Sequence, residues 1–240
     1  MANFGQFQDS WIDQLRKIVG QLTDGPTRPK TEEDSRQVRR LVDKVVSHYV
    51  DYYAAKAAVG RTDVLILFAA PWASALERSL HWVAGFRPTT VFHLMYTESS
   101  VRFESHVMDI LRGRRTGDLG ELSPGQLARV SELQCQTVKE ENKIGDELGA
   151  WQEALARAEP EWAGLPGASP RDGLEKLLEK LGEVVAKADE LRMRTIRQVV
   201  EFLTPQQAAE FVVAAAELQF GIRAWGLHHD RERGAGGVCC

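Results

Sequence analysis

Apolar side chains recur every three or four positions along nearly all of this chain, and no window alternates them at every second position. Spacings of three and four place side chains on one face of an α-helix, whereas a half-buried strand needs a period of two. The chain is therefore expected to pack helix against helix. Segment 4–22 shows the pattern, with Phe4, Phe7, Trp11, Leu15, Ile18 and Leu22 on one stripe. Gly25, Pro26 and Pro29 then break it. Thr31 and Asp34 read as a capping box, with acids in the first turn where the helix dipole favours negative charge. Val38, Val42, Val45, Tyr49 and Tyr52 continue that helix to an expected end at Gly60.

Residues 62–95 carry the densest punctuation. Pro71 predicts two helices, over 63–70 and 74–84, with a bend between them. Ser74 and Glu77 form a second capping box, Gly85 is expected in the left-handed conformation past the helix end, and Pro88 stops continuation. Trp72, Trp82 and Phe86 load this segment with aromatic surface, and at least two of the three are expected to be mostly buried. A further helix begins near Thr89 and Thr90. Over 97–121, Val101, Phe103, Val107, Ile110 and Leu111 allow a short helix, followed by a flexible, solvated loop with Arg112, Arg114 and Arg115.

Ser123-Pro124-Gly125-Gln126 and Thr204-Pro205-Gln206-Gln207 are helix starts of one design: hydroxyl cap, proline at the first helical position, glutamine at the third. The helix over 123–157 carries Leu127, Val130, Ile144 and Leu148, but Gln134 and Glu141 fall near the same stripe. That half-polar seam is either poorly buried or faces a partner. Pro160, Gly164, Pro166, Gly167 and Pro170 read as a loop before a second long helix from Leu174 to Leu203 and a last one from Pro205. The expected fold is all-α: a single multi-helix domain over 4–233 with about seven to nine helices, long antiparallel ones in its C-terminal half, and a flexible tail at 234–240.

Chemistry is hard to find. The sequence has no GxGxxG, P-loop, HExxH, paired CxxC or Gly-x-Ser-x-Gly, so no enzyme, catalytic residue or metal site is expected. His228 and His229 are adjacent and point about 100° apart on a helix, a poor arrangement for chelating one metal. A net charge of -4 gives no bulk attraction to nucleic acid. The longest apolar run, 64–70, falls far short of the roughly 20 residues of a membrane span. Cys135, Cys239 and Cys240 cannot build a disulfide framework. The terminal Cys239-Cys240 resembles the prenylated tails of Rab GTPases, but no GTPase motif accompanies it, and an unmodified tail is expected.

One ordered set of residues carries a family resemblance. It runs Phe7, Trp11, Leu15; then Val45, His48, Tyr49, Lys56, Asp63; then Trp72, Glu77, Arg78, Trp82 and Gly85-Phe86-Arg87-Pro88. Gln126, Leu127, Leu133, Gln134, then Ala188-Asp189-Glu190-Leu191-Arg192 and Leu203-Thr204-Pro205-Gln206-Gln207 complete it. This pattern resembles the plant seed-dormancy-control domain of the Delay of Germination type, which also lies C-terminal to bZIP in TGA transcription factors. No basic region or leucine zipper precedes the first amphipathic helix here, so the resemblance is to a stand-alone member. It implies a non-enzymatic regulatory domain of the nucleus and/or cytoplasm, acting through bZIP transcription factors, transcriptional co-activators or protein phosphatases. Direct DNA binding is not expected without bZIP. Trp72, Glu77, Arg78, Trp82, Phe86 and Arg87 are the candidate partner-binding residues. The resemblance also implies haem binding, with His228 and His229 as candidates. The alternative reading is a ligand-sensing helical module that holds haem or an apolar small molecule between its long helices, as all-α bundles commonly do.

Overall fold

A computed structural model describes residues 2–24, 29, 31–162 and 170–236. In chain order its helices are α1 (Ala2–Thr23), α2 (Glu32–Thr62), α3 (Leu65–Ala69), α4 (Ala75–Ser79) and α5 (Thr90–Leu111). A 3₁₀ turn (Leu119–Glu121) leads to α6 (Pro124–Trp162), α7 (Pro170–Phe202) and α8 (Pro205–Gly236). There is no strand among the described residues, and the fold is all-α.

The stripes form the core as their spacing requires. Leu15 of α1, Val42 and Val45 of α2, Phe92 and Met95 of α5, and Phe211 of α8 meet in one buried cluster. A second cluster joins Leu67 of α3, Ile144 of α6, and Leu181 and Ala188 of α7, with Trp72 and Trp82 packed against it. α6 and α7 run antiparallel: Glu140 pairs with Arg194, Glu147 with Lys187, and the Trp151 indole donates to the Leu177 carbonyl at 2.7 Å.

Caps fall where the sequence places them. Asp34 N donates to Thr31 Oγ1 and Thr31 N to Asp34 Oδ2, both at 3.0 Å. The two similar helix starts are bound to each other: Gln126 Nε2 donates to Gln207 Oε1 at 2.7 Å and to the Phe202 carbonyl at 3.1 Å. Each glutamine also completes its own capping box.

Several expectations are corrected. α2 passes through Gly60 to Thr62. The helices expected over 63–70 and 74–84 shrink to Leu65–Ala69 and Ala75–Ser79. Ala70, at φ 39°, ends the first in the left-handed region, and Val83 and Ala84, at φ 45° and 58°, turn the chain away after the second. α5 is one helix from Thr90 to Leu111 rather than two pieces. The loop after it is tied down: Arg115 and the backbone amides of Thr116 and Gly117 all donate to Glu121. Hydrogen bonds from Gly117, Arg115 and Thr116 hold the Glu121 carboxyl below its usual range. Pro160 lies within α6 and Pro170 opens α7, whereas Gly164, Pro166 and Gly167 lie outside the described residues. α8 continues through Gly234 to Gly236, past the expected boundary at 233, and Cys239 and Cys240 lie outside the described residues.

Candidate functional site

The 72–88 segment sits where α1, α2, α7 and α8 converge on it, and arginines from α7 and α8 hold it. At its start, Ser74 N donates to Glu77 Oε2 at 2.7 Å while Glu77 N donates to Ser74 Oγ at 3.2 Å, the expected capping box. Arg223 of α8 binds the same Glu77 carboxylate at 3.3 Å and reaches Asp9 of α1 at 2.6 Å. It also donates to the Trp72 carbonyl at 3.4 Å. Asp230 accepts from the Ala75 amide at 2.9 Å. α8 lies so close that a Cβ on Gly226 would stand 2.2 Å from Ser74 Oγ.

The far end is a tight turn. Trp82 N donates to the Gly85 carbonyl at 2.6 Å and Gly85 N returns to Trp82 O at 3.2 Å. Its two central residues, Val83 and Ala84, have positive φ. For L-residues with a Cβ that conformation costs on the order of 1–2 kcal/mol each, so the turn persists only if something else fixes it. Arg192 of α7 does so. Its guanidinium is fully buried and donates to the carbonyls of Phe86 (2.6 Å), Val83 (3.0 Å) and Trp82, and to Asp189. Its Cζ lies 5.5 Å from the Trp82 ring centroid and 5.8 Å from that of Phe86. Asp189 accepts a second cation, Lys56 of α2, at 2.8 Å. Burial pulls the Lys56 ammonium down from 10.5 to about 8. Gly85 does not adopt the left-handed conformation expected of it. Its role is close approach, because a Cβ there would lie 2.9 Å from Arg192 Cζ.

Arg87 then leaves the segment and donates to Glu141 Oε2 at 2.8 Å. Glu141, a buried carboxylate on α6, also accepts from the amide and hydroxyl of Thr89, at 2.7 and 3.3 Å, and so caps the start of α5. Nearby, Tyr96 donates to Gln134 at 3.0 Å. Here the half-polar seam of α6 faces α5 of the same chain.

Sequence reasoning singled out six residues in this segment, and the structure brings them together without making one flat platform. Trp72, Trp82 and Phe86 are mostly buried, as expected; the Trp72 ring meets Phe4 edge-on at 4.6 Å. Glu77 is partly buried beneath Arg223, Arg78 and Leu80 are exposed, the latter by 53%, and Arg87 is exposed while paired with Glu141. The anchoring residues Lys56, Glu141, Asp189, Arg192 and Arg223 were given no role by the sequence. A signal existed for four of them. Lys56, Asp189 and Arg192 belong to the resemblance pattern, and Glu141 interrupts an apolar stripe.

His228 and His229 flank the α8 contacts of Gly226 and Asp230, but among the described residues neither is hydrogen-bonded to the 72–88 segment. Both are exposed on α8, and His228 faces Glu232 at 3.7 Å. A haem held by them would lie on the surface of α8 rather than in an enclosed pocket. Among the described residues, no three or more His, Cys, Asp or Glu gather in a way that could hold a metal ion. None of the described helices is long and apolar enough to cross a membrane.

Fold and site together define an all-α domain built around a loop that buried arginines lock in place. The signature of the seed dormancy control (DOG1) family matches residues 13–97. Protein DOG1-like 4 of Arabidopsis thaliana is 32% identical over 235 residues, covering 93% of this chain and 91% of the relative. Protein DOG1-like 3 of the same plant is 26% identical over 236 residues, covering 93% and 83%. Arabidopsis transcription factor TGA3 is 25% identical over 234 residues, which span 93% of this chain but 53% of that factor. This chain belongs to the DOG1 seed-dormancy-control family.

Proposed function

We propose that this chain is a non-enzymatic regulatory interaction domain of seed-dormancy and transcription control, acting through protein partners in the nucleus and/or cytoplasm. The observation that carries this reading is the apolar face of α5. Val101, Met108 and Leu111 are 58%, 57% and 75% exposed. Their spacings of seven and three put them on one side of the helix, while Phe103, 46% exposed, points to another side. These three large apolar side chains, left exposed on one side of a helix, are the surface on which the reading places a protein partner. Arg78, Leu80 and Arg87 supply a second exposed group at the 72–88 segment, and Trp72, Glu77, Trp82 and Phe86 hold the backbone that carries them. Similarity to the DOG1-like proteins and to a transcription factor supports partners of three kinds: bZIP transcription factors, transcriptional co-activators or protein phosphatases. Direct base reading is not part of the proposal. The net charge is -4, and Arg114 and Arg115 are paired with Asp109 and Glu121.

Affinity purification of the tagged chain from seed extract tests this directly. The expected result is enrichment of a protein from at least one of the three partner classes. Recovery of none of them contradicts the proposal.

A further inference from the structure

The fold places its methionines in two environments. Met95 and Met193 are buried, at 0% and 7% exposure, whereas Met108 is 57% exposed. Met1 lies outside the described residues. Met108 stands between Val101 and Leu111 on the uncovered side of α5, and Glu104 and Arg112, four residues to either side of it, are exposed as well. A thioether in that position is open to dissolved oxidants, and it reacts without first losing a proton. Its sulfur lone pair attacks one oxygen of hydrogen peroxide, the O–O bond breaks, an S–O bond forms, and the second oxygen leaves as water. Sulfur is oxidised by two electrons and the peroxide is reduced by two. The product is a polar, chiral sulfoxide where a flexible apolar side chain stood. One of the three apolar anchors of the α5 face then gains nothing by leaving water. Cys135 on α6 is exposed too, but its chemistry is separable: a sulfenic acid is returned to the thiol by other thiols, whereas a methionine sulfoxide needs a dedicated reductase.

We propose that Met108 is a reversible oxidation site, converted by hydrogen peroxide to the sulfoxide ahead of Met95 and Met193, and that the sulfoxide switches off partner capture on α5. The switch rests on the reading of α5 as the partner face. The selectivity of the oxidation belongs to the purified chain alone and stands or falls separately.

The test begins with peptide mass mapping of the purified full chain across a hydrogen peroxide titration, each sample reduced with dithiothreitol before digestion. The expected result is that Met108 gains one oxygen at least roughly tenfold faster than Met95 or Met193, in line with exposure. In Met108→Leu the peptide over 103–112 gains none. The oxidised chain melts within about 2 °C of the untreated one, because the change lies on the surface. Capture from seed extract is then compared for the untreated chain, the oxidised chain, and the oxidised chain repaired with methionine sulfoxide reductases. Oxidation is expected to remove at least roughly nine-tenths of the recovered bZIP factor, co-activator or phosphatase; reductase restores it and dithiothreitol alone does not. The proposal is overturned if the buried methionines oxidise as fast as Met108, or if a chain oxidised at Met108 captures as much as the untreated one. Capture of no such partner by the untreated chain overturns the reading of α5 and the switch with it, while the mass map still decides the oxidation site.

Discussion

Trp82, Val83 and Phe86 each offer a carbonyl that no helix uses, and a single guanidinium takes all three. Arg192→Ala removes those donors and empties the space beside two aromatic rings, leaving the Val83 and Phe86 carbonyls without the partner they have now. The expected loss is about 3–5 kcal/mol of unfolding free energy, read by chemical denaturation. Gly85→Ala tests the same contact from the other side. A methyl group 2.9 Å from Arg192 Cζ forces the loop or the arginine to move, at an expected cost of about 1–3 kcal/mol. Lys56 gives the network a pH signature. Its folded pKa, about 8, lies below the value of 10.5 expected when unfolded. Between those values the unfolded state binds the proton that the folded state has released, so stability rises with pH across that window. Below about pH 8 both states are protonated and the folded chain bears the full desolvation cost. Lys56→Met leaves Asp189 paired with Arg192 and removes the rise. Relative to that variant, the wild-type chain gains on the order of 2–3 kcal/mol between pH 8 and 10, measured by denaturation at each pH. Above pH 10 the trend reverses, since burial holds the Tyr49, Tyr52 and Tyr53 hydroxyls above their ordinary range and the unfolded state ionises first.

Between elements, α8 packs tightly against the start of α4. Gly226→Ala places a Cβ 2.2 Å from Ser74 Oγ and pushes α8 away from the capping box, with an expected cost of about 2–3 kcal/mol. Gly221, one and a half turns earlier, meets nothing within 4 Å. Gly221→Ala is expected to stabilise the chain by about 0.5–1 kcal/mol through helix propensity alone. Thermal unfolding of the pair separates the packing effect from the propensity effect. Helix starts were the most legible feature of the sequence, because a hydroxyl and an acid or amide three residues apart satisfy each other locally. Thr31, Ser74, Ser123 and Thr204 all cap as read. Helix ends in residues 62–88 were not legible. The stop after Ser79 depends on Arg192, more than a hundred residues away, which competes for the carbonyls that a longer α4 would have used.

At the scale of the whole molecule, apolar periodicity alone was enough to give an all-α domain, because nearly every stripe became a core face. The candidate site was legible only in part. Local spacing showed the 72–88 segment as dense and capped, but Glu141, Arg192 and Arg223 reach it from distant helices, and no local pattern encodes such pairings. The exposed face of α5 escaped notice for the opposite reason: Val101, Met108 and Leu111 look like an ordinary buried stripe until the fold leaves them uncovered. Matched charges on the loop after α5 and a net charge of -4 predict no salt-dependent mobility shift of the purified chain on TGACG-type DNA. The central claim is that partners are captured on α5. It is tested most directly by quantitative affinity purification from seed extract, comparing the wild-type chain with a Met108→Asp, Leu111→Asp double variant of matched thermal stability. The account predicts that the wild type enriches a bZIP factor, co-activator or phosphatase and that the double variant loses at least nine-tenths of that recovery (about 1.4 kcal/mol of binding). Equal recovery by the two chains would contradict it.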